Sequence, residues 1–282
     1  MAVKIIVDSA SDITQKEAKE MGITVVPIEI TFGENLYLDG VDMLTEEFYN
    51  KLTSSKELPT TSQINPYRWE EIFREETKNG DEVVAIILSS KLSGTYNSAC
   101  EAAKNIGKNI YVVDSLSATI GERLLVEYAL KLAGGKMSAE NIKAELDSAK
   151  EKICIKAIVD TLEYLKKGGR ISSATAIIGG MLNIKPLIAV VDGEVKNVSK
   201  AMGIKKAYKT LTEIISAEGE IDFDMPHGLI WSGNDKSSLD KYKTEQAQNF
   251  EGANKDIPEH IIGSTIGVHV GPGAVGFAFF KK

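Results

Sequence analysis

The first half of the chain alternates short apolar runs with segments of helical spacing, and this alternation is the strongest constraint on its fold. Apolar runs typical of strands occupy residues 4–8, 23–32, 83–88 and 110–114. Helical spacing is found at residues 14–21, 67–78, 93–104 and 119–133. A Thr14-x-x-Glu17 capping box and an Asn65-Pro66 pair mark two of the helix starts. Strands that alternate with helices in this way predict a mostly parallel sheet flanked by helices.

The second half has a different pattern, which predicts antiparallel pairing. Asp192-Gly193 separates two strand-like runs, residues 187–191 and 194–198, as in a two-residue type I′ hairpin. A polar helix over residues 138–152, with Ser138 as its cap, precedes a strand over residues 154–159. Helices at residues 205–215 and 237–250 and a strand at residues 229–232 complete the predicted elements.

The predicted fold class is therefore α/β, with two α/β domains. Residues 1–150 are expected to form the first domain, around the mostly parallel sheet. Residues 151–282 are expected to form the second, a mixed-sheet α+β unit. A chain of 282 residues can bury a substantial core, so neither a metal ion nor a disulfide is required for stability.

A long uncharged stretch near the C-terminus raises the possibility of a membrane segment. Residues 260–280 contain no Asp, Glu, Lys or Arg, and they are numerous enough to span a bilayer. Gly263, Gly267 and Gly271 also have the spacing of close-packed membrane helices. However, glycine, proline and β-branched residues make this stretch a poor helix. We therefore expect two buried strands around a Gly271-Pro272-Gly273 turn, and no integral membrane association.

Charge and cysteine content exclude several other classes of protein. The formal net charge of −7 gives no overall positive field for a phosphate backbone, so nucleic acid is not an expected partner. Cys100 and Cys154 lack CxxC spacing, and a strand-like run opens the chain without a targeting segment. We therefore expect buried thiols in a reducing cytoplasm.

Polar segments follow three of the predicted strands, at the edge where ligands bind to open parallel sheets. They are residues 8–12, 89–95 and 114–115. In the second of them, Ser93 and Gly94 stand at a predicted helix start, where backbone N–H groups and a hydroxyl can hold a carboxylate or phosphate. Alternatively, Ser93 only caps its own helix.

Two other segments carry groups that can recognise an anion. Residues 59–63, which include Thr61 and Ser62, are rich in hydroxyls, although a segment of this composition is ordinarily only a turn. Residues 161–172 predict a short helix that ends at Gly168-Gly169 and presents Arg170. Its guanidinium can bind carboxylate or phosphate oxygens, or pair with a surface acid.

Familiar cofactor and catalytic motifs are absent or fail their structural context. Residues 271–276 match GxGxxG, but strand-like residues follow where a dinucleotide site needs a helix. No Walker A, GxSxG or HExxH sequence occurs. His227, His260 and His269 are too scattered to predict a metal site, and the first two are expected to be structural. We therefore expect neither a metal nor a cofactor.

Six segments in a fixed order resemble the DegV family, whose better-studied members are fatty-acid-binding subunits of bacterial fatty acid kinase. They are Asp8-Ser9-x-x-Asp12, Thr61-Ser62-Gln63 and residues 89–96, 161–171, 182–186 and 269–274. The chain departs from the pattern at Ile64, where many relatives carry proline. The resemblance implies a long-chain fatty acid buried between two α/β domains.

The resemblance also implies roles for individual residues. The residues matching Thr61 and Ser93 hydrogen-bond the lipid carboxylate, with help from the histidine matching His269, and Ser62 and Gly94 adjoin them. The arginine matching Arg170 takes part in phosphoryl transfer at that carboxylate. A further uncharged run, residues 171–184, supplies the candidates for the tunnel lining, although core packing explains it equally well. They are Ile177, Ile178, Gly179, Gly180 and Met181.

Two functional hypotheses follow from these observations. In the first, the chain is not an enzyme by itself. It encloses a fatty acid and presents the carboxylate to a separate ATP-dependent kinase subunit, which forms acyl phosphate. In the second, it is a stand-alone hydrolase or acyl-transfer enzyme with Ser93 as nucleophile and His269 as base. The second requires Ser93 and His269 within hydrogen-bond reach, and an acid that orients the histidine.

Overall fold

The computed structural model of the chain describes residues 2–107, 109–171, 183–246 and 257–282. The strands are β1 (Val3–Asp8), β2 (Thr24–Val26), β3 (Glu29–Phe32), β4 (Asn35–Leu38), β5 (Thr60–Ser62), β6 (Glu82–Ile87), β7 (Ile110–Asp114), β8 (Ile153–Ile158), β9 (Ile184–Val191), β10 (Glu194–Met202), β11 (Gly228–Trp231), β12 (Glu259–Ile261) and β13 (Val275–Phe280). The helices are α1 (Gln15–Met21), α2 (Thr45–Ser54), α3 (Pro66–Thr77), α4 (Thr95–Ile106), α5 (Ile120–Gly134), α6 (Ala139–Ala149), α7 (Glu163–Lys167), α8 (Ile204–Ser216), α9 (Ser237–Glu245) and α10 (Ser264–Val270).

The predicted parallel sheet is present, with strand order β2-β1-β6-β7. Its central strand β6 is buried along nearly its whole length, as expected for a parallel strand covered on both faces. The capping box of Thr14 and Glu17 opens α1, and Asn65 caps α3 with Pro66 in its first turn. These local signals predicted both helix starts correctly, because each motif satisfies N–H groups that no helical carbonyl can reach.

The apolar run over residues 23–32 is not one strand, as the sequence had suggested, but two. Pro27 has no N–H to donate, and the N–H of Ile28 donates to Ser9 Oγ at 3.0 Å instead of to a neighbouring strand. As a result, β2 stays in the parallel sheet, while β3 joins a separate antiparallel sheet of order β4-β3-β5. The hydroxyl-rich segment at residues 59–63 is not only a turn, because Thr60–Ser62 pair with β3 as strand β5.

The mixed sheet has the order β10-β9-β8-β13-β11-β12. Asp192 and Gly193 both have positive φ, 52° and 80°, which confirms the predicted type I′ turn between β9 and β10. Alternate side chains of β8 point to opposite faces of the sheet and pack in two different hydrophobic clusters. Cys154 and Ile158 pack with side chains of α8, whereas Ile155 and Ala157 join the cluster that contains the parallel sheet. One face of the mixed sheet is therefore turned toward the parallel sheet.

The uncharged stretch over residues 260–280 contains a helix, which corrects the expectation of two strands. Short strand β12 is followed by α10, and only after the Gly271-Pro272-Gly273 turn does β13 begin. Tertiary contacts override the poor helical propensity of this segment. Gly267 lies so close to α2 that a Cβ would be 2.6 Å from Phe48 Cε1. Within the described residues, no helix is both long and apolar enough to cross a membrane.

Other predicted features vary in their outcome. Ser138 caps α6 as expected. Helix α9 ends at Glu245, and residues 247–250 of the predicted helix lie outside the described residues. Cys154 is buried, but Cys100 is only half-buried, and both are free thiols. The division at residue 150 stays a prediction. Residues on either side of it share the largest hydrophobic cluster.

Candidate functional site

A cavity of about 290 Å³ is lined by residues from both halves of the chain. Most of its lining is aliphatic, with contributions from Leu88, Ile155, Ile188, Val190, Ile230 and Ile266. The polar lining residues are Thr61, Ser62, Gln63, Ser93, Thr119, Thr265, His269 and Arg170, with Gly94 beside them. An apolar cavity with a few convergent polar groups is typical of a small-molecule site. The cavity therefore brings together Thr61, Ser62, Ser93, Gly94, His269 and Arg170, all of which the sequence had singled out.

Thr61 and His269 form the central polar contact of this cavity. Thr61 lies on β5 and His269 in the last turn of α10, and His269 Nε2 is 3.1 Å from Thr61 Oγ1. Burial, reinforced by the charge of Arg170, lowers the pKa of His269 to about 4. The imidazole is therefore neutral at neutral pH. If Nε2 carries its proton and donates to Thr61 Oγ1, the Thr61 hydroxyl is left to donate into the cavity.

Gly168, the first of two glycines after α7, leaves the space that the His269 ring occupies. A Cβ on Gly168 would lie 2.2 Å from His269 Nδ1, so only glycine permits this close approach. Gly169 has φ +69°, a conformation that glycine adopts without strain. Within the described residues, His269 Nδ1 has no hydrogen-bond partner. The imidazole is thus fixed by packing on one side and by Thr61 on the other.

Ser93 lines the cavity and also stabilises the start of α4. Its Oγ accepts a hydrogen bond from Thr95 N at 3.2 Å and lies 2.9 Å from Thr95 Oγ1. The capping role weighed from the sequence is not present, because Gly94 is the N-cap residue of α4 and no side chain caps the helix. Ser93 instead bonds the first helical residue and lines the cavity. Helix α4 begins at Thr95 instead of at residue 93.

Gln63 also lines the cavity, although the sequence gave it no role beyond its place in the Thr61-Ser62-Gln63 segment. Its Nε2 donates to Ser98 Oγ at 3.1 Å, and its Oε1 would be 1.9 Å from a Cβ on Gly94. Gly94 therefore allows Gln63 to lie across the first turn of α4. The signal that could have found this contact is the glycine itself, because a glycine next to a helix start often marks close approach.

Arg170 is held by backbone carbonyls. Its Nε donates to Leu92 O at 3.1 Å and its Nη1 to Gly168 O at 2.5 Å. Among the residues that the structure describes, no acid forms the surface ion pair with Arg170 that was considered from the sequence. Partial burial lowers the pKa of Arg170 from its usual value, but an arginine remains charged. A cation is therefore kept at the polar end of the cavity.

The polar segments after β1 and β7 have structural partners. Asp8 accepts hydrogen bonds from Ala10 N and Leu88 N, each at 2.9 Å, and Asp114 accepts from Ser90 N and Leu116 N. Asp8 and Asp114 do not contribute to the cavity lining. Of the three strand-end segments, only the one containing Ser93 lines the cavity with the side chains predicted.

Comparison with known proteins assigns the chain to a family. The family model described as uncharacterised protein, DegV family, matches residues 2–282. The chain belongs to the DegV family. A DegV domain-containing protein from Caldanaerobacter subterraneus is 39% identical over 282 residues, or 99% of each protein. One from Deinococcus radiodurans is 32% identical over 286 residues, with coverage of 99% of this chain and 98% of the relative.

Solved DegV structures share this fold. A DegV family protein from Thermus thermophilus, described by its fatty acid binding, matches with a TM-score of 0.88 at 29% identity over 100% of both chains. A stearic acid-binding protein from Eubacterium ventriosum matches with a TM-score of 0.86 at 26% identity, over 100% of this chain and 99% of that one. A DegV lipid-binding protein from Thermotoga maritima matches with a TM-score of 0.85 at 26% identity, over 99% of this chain and 98% of that one. The α/β fold class is thereby confirmed.

The geometry gives little support to a stand-alone DegV enzyme. Ser93 Oγ is engaged by Thr95, and His269 Nε2 by Thr61. No hydrogen bond joins Ser93 to His269, and no carboxylate contacts His269 Nδ1, within the described ranges. Among these residues, Ser93 and His269 do not form the nucleophile and base pair that the enzyme hypothesis requires.

The remaining predicted residues lie elsewhere. His227 Nδ1 contacts Met225 O at 2.9 Å, as expected for a structural histidine. Burial lowers the pKa of His260 to about 4, and this residue does not line the cavity. The described part of the chain has no cluster of His, Cys, Asp or Glu arranged to hold a metal ion. The tunnel candidates, Ile177, Ile178, Gly179, Gly180 and Met181, lie outside the described residues.

Proposed function

We propose that this DegV protein binds one long-chain fatty acid in the cavity, with the carboxylate at the end formed by Thr61, Ser93 and His269. The observation that carries the proposal is the convergence of these groups on one aliphatic cavity. Solved relatives that are described as fatty-acid-binding support it. The same cavity also contains Arg170, a cation suited to phosphoryl oxygens.

The acyl chain and the head group contribute differently to binding. Burial of a ~16-carbon chain at ~0.8 kcal/mol per methylene is worth on the order of 12 kcal/mol before the costs of association. This exceeds what two or three hydrogen bonds contribute. The aliphatic wall therefore sets affinity, and the polar end sets the orientation of the lipid. With a net charge of −7, the protein attracts no carboxylate at long range, so capture depends on these local contacts.

The head group would be held by neutral donors. Hydroxyls of Thr61 and Ser93 and the neutral imidazole of His269 can hydrogen-bond a carboxylate without neutralising it. A tight bidentate ion pair would hold the carboxylate oxygens and reduce their nucleophilicity. The arrangement thus favours a carboxylate that is oriented and still reactive.

The protein further acts, in this proposal, as the lipid-binding subunit of a kinase system. A carboxylate oxygen attacks the γ-phosphorus of ATP bound to a separate kinase subunit, and ADP leaves as acyl phosphate forms. Arg170 stabilises the phosphoryl oxygens as charge shifts between them, as positioned cations do in phosphoryl transfer. Acyl phosphate is an activated acyl donor suited to phospholipid synthesis. In this proposal the reaction takes place in the cytoplasm, where ATP is available.

Native mass spectrometry tests the binding step. Protein purified without detergent should carry about one fatty acid per chain, and delipidated protein should take up palmitate or oleate with the same stoichiometry. Extraction and analysis of the lipid identify its length and saturation. A cavity that is consistently empty and refuses both added acids contradicts the proposal.

A further inference from the structure

Two threonines in the cavity wall have their hydroxyls hydrogen-bonded to the side chains of buried aspartates. Thr265 Oγ1 donates to Asp39 Oδ2 at 2.6 Å, and Thr119 Oγ1 donates to Asp12 Oδ2. Thr119 and Thr265 line the cavity, whereas Asp12 and Asp39 do not. Each hydroxyl is therefore directed to an acceptor outside the lining. This leaves the Cγ2 methyl group as the part of the threonine that can face the cavity.

Asp39 binds Thr265 through both its hydroxyl and its backbone N–H. The same Oδ2 atom accepts from Thr265 N at 3.1 Å, and the Asp39 residue is 5% exposed. Burial of a carboxylate is unfavourable unless its oxygens are well satisfied. Thr265 lies one helical turn before His269 on α10, on the same face of the helix. Asp39 thus acts on the stretch of wall next to the head-group end.

Thr119 is held through both its backbone N–H and its hydroxyl. It has φ +52°, a strained conformation for a β-branched residue, and its N–H donates to Ala10 O at 2.6 Å. Asp12, which accepts from its hydroxyl, also accepts from Gly263 N at 2.8 Å. Asp12 therefore joins the loop before α5 to the start of α10, two segments that meet at the cavity.

We propose that Asp39 and Asp12 are positioning residues that make this part of the wall apolar by turning the hydroxyls of Thr265 and Thr119 away from the ligand. This role rests on the proposed fatty-acid binding, and it adds a specificity: the site prefers an unsubstituted acyl chain to a hydroxylated one. A ligand hydroxyl that meets methyl groups loses its hydrogen bonds to water and gains none, which lowers affinity by about 10-fold or more.

Affinities for stearic acid and a positional series of hydroxystearic acids test the proposal at Thr265. The wild type should bind stearic acid more tightly than at least one hydroxylated isomer by about 10-fold or more. In Asp39→Ala, the Thr265 hydroxyl loses its carboxylate acceptor and becomes available to the ligand, so the preference should shrink. The double variant Asp39→Ala/Thr265→Val lacks that hydroxyl, so the preference should return.

The double variant separates positioning from a merely structural role. If Asp39 only supports the fold, Asp39→Ala and the double variant will show the same preference, and the proposal is overturned. Ser9 Oγ lies 3.2 Å from Thr265 Oγ1, so it can keep the Thr265 hydroxyl turned away from the ligand even when Asp39 is absent. The variant Ser9→Ala/Asp39→Ala, which lacks both partners, is therefore measured as well. If neither this variant nor Asp39→Ala relaxes the preference, the proposal is likewise overturned.

Thr265→Val keeps the test decisive if Asp39→Ala does not fold. Valine presents the same methyl surface, so its preference for stearic acid should match the wild type. A changed preference shows that the hydroxyl already faces the ligand and overturns the proposal. A wild type that binds stearic acid without preference overturns this inference alone. A wild type that binds none of the acids overturns the proposed function as well.

Discussion

His269 Nε2 lies 3.1 Å from Thr61 Oγ1, although 208 positions separate the two residues in the chain. One is carried by the edge strand β5 and the other by a short buried helix. Because the imidazole is neutral, its role is to orient the Thr61 hydroxyl and not to supply charge. This contact links the hydroxyl-rich segment of the first half to the uncharged stretch of the second half.

Replacement of Thr61 by valine tests this arrangement. Thr61→Val keeps the shape of the side chain but removes the hydroxyl that the carboxylate and His269 share. We expect fatty acid binding to weaken by ~1–3 kcal/mol, or about 5- to 150-fold in affinity, measured by displacement of a fluorescent fatty acid. Thr60→Val, in the exposed neighbouring position on β5, is the matched control and should bind normally. Equal affinity in both variants would remove Thr61 from the head-group site.

Gly168→Ala tests the packing that fixes His269. The new Cβ would lie 2.2 Å from Nδ1, so the ring must move away from Thr61. We expect overpacking to cost ~1–3 kcal/mol of stability. A displaced ring is also less buried, so the pKa of His269 should rise from about 4 toward its usual value, as measured by NMR titration.

The control for this substitution is Gly134→Ala. Gly134 ends α5 and has no atoms within 4 Å of an added Cβ, so alanine should be neutral or slightly stabilising there. An unchanged His269 titration in Gly168→Ala would show that Gly168 does not position the imidazole.

Local motifs predicted much of the fold, because they act over a few residues. The Thr14 capping box and the Asp192-Gly193 turn both appear where the sequence indicated. Helix α10 was missed because its cause is distant: the N–H of Gly263, its N-cap residue, donates to Asp12, 251 positions earlier. The split of residues 23–32 was missed for a related reason, since Ile28 N donates to Ser9 and not to a strand.

The site was predictable only in part. Thr61, Ser93 and Arg170 lie in segments that local residue patterns singled out, the resemblance to the DegV family gave them roles and added His269, and all four line the cavity. Thr119 and Thr265 were not identified, because nothing local to either residue shows that its hydroxyl is directed to a carboxylate in another element. Contacts of this kind depend on the packing of whole elements.

The buried carboxyls predict that stability falls as pH rises. Burial raises the pKa of Asp12 to about 8 and that of Asp8 to about 7. Above about pH 4 these two carboxyls hold protons in the folded protein that the unfolded chain has released, which lowers the free energy of unfolding as pH rises. His260 and His269, whose pKa values are lowered to about 4, have the opposite effect up to about pH 6.5. The free energy of unfolding should therefore decrease between about pH 6.5 and about pH 8, where of these groups only the carboxyls contribute. Asp12→Asn mimics the protonated carboxyl and should reduce this dependence, as measured by urea unfolding at several pH values.

Asp224→Asn, at an exposed aspartate, is the control and should leave the pH dependence as it is in the wild type. A stability that rises between about pH 6.5 and about pH 8 would contradict the assignment of protonated carboxyls to the core. So would an Asp12→Asn profile identical to that of the wild type.

Arg170 should separate lipid binding from phosphoryl transfer. Its guanidinium is positioned by Leu92 O and Gly168 O, and the acyl chain is held by the aliphatic wall, so Arg170→Ala should keep its fatty acid. With a fatty acid kinase subunit and ATP, acyl phosphate formation should fall by about 100-fold or more, because a cation at the transferring group is lost. Arg170→Lys should restore little, since lysine lacks the planar fork that matches phosphoryl oxygens.

Arg68→Ala, which removes a surface arginine paired with Glu71, controls for a general change of charge. Loss of the bound lipid in Arg170→Ala would instead make this arginine a ligand of the carboxylate, and the assignment of transfer to it would be wrong.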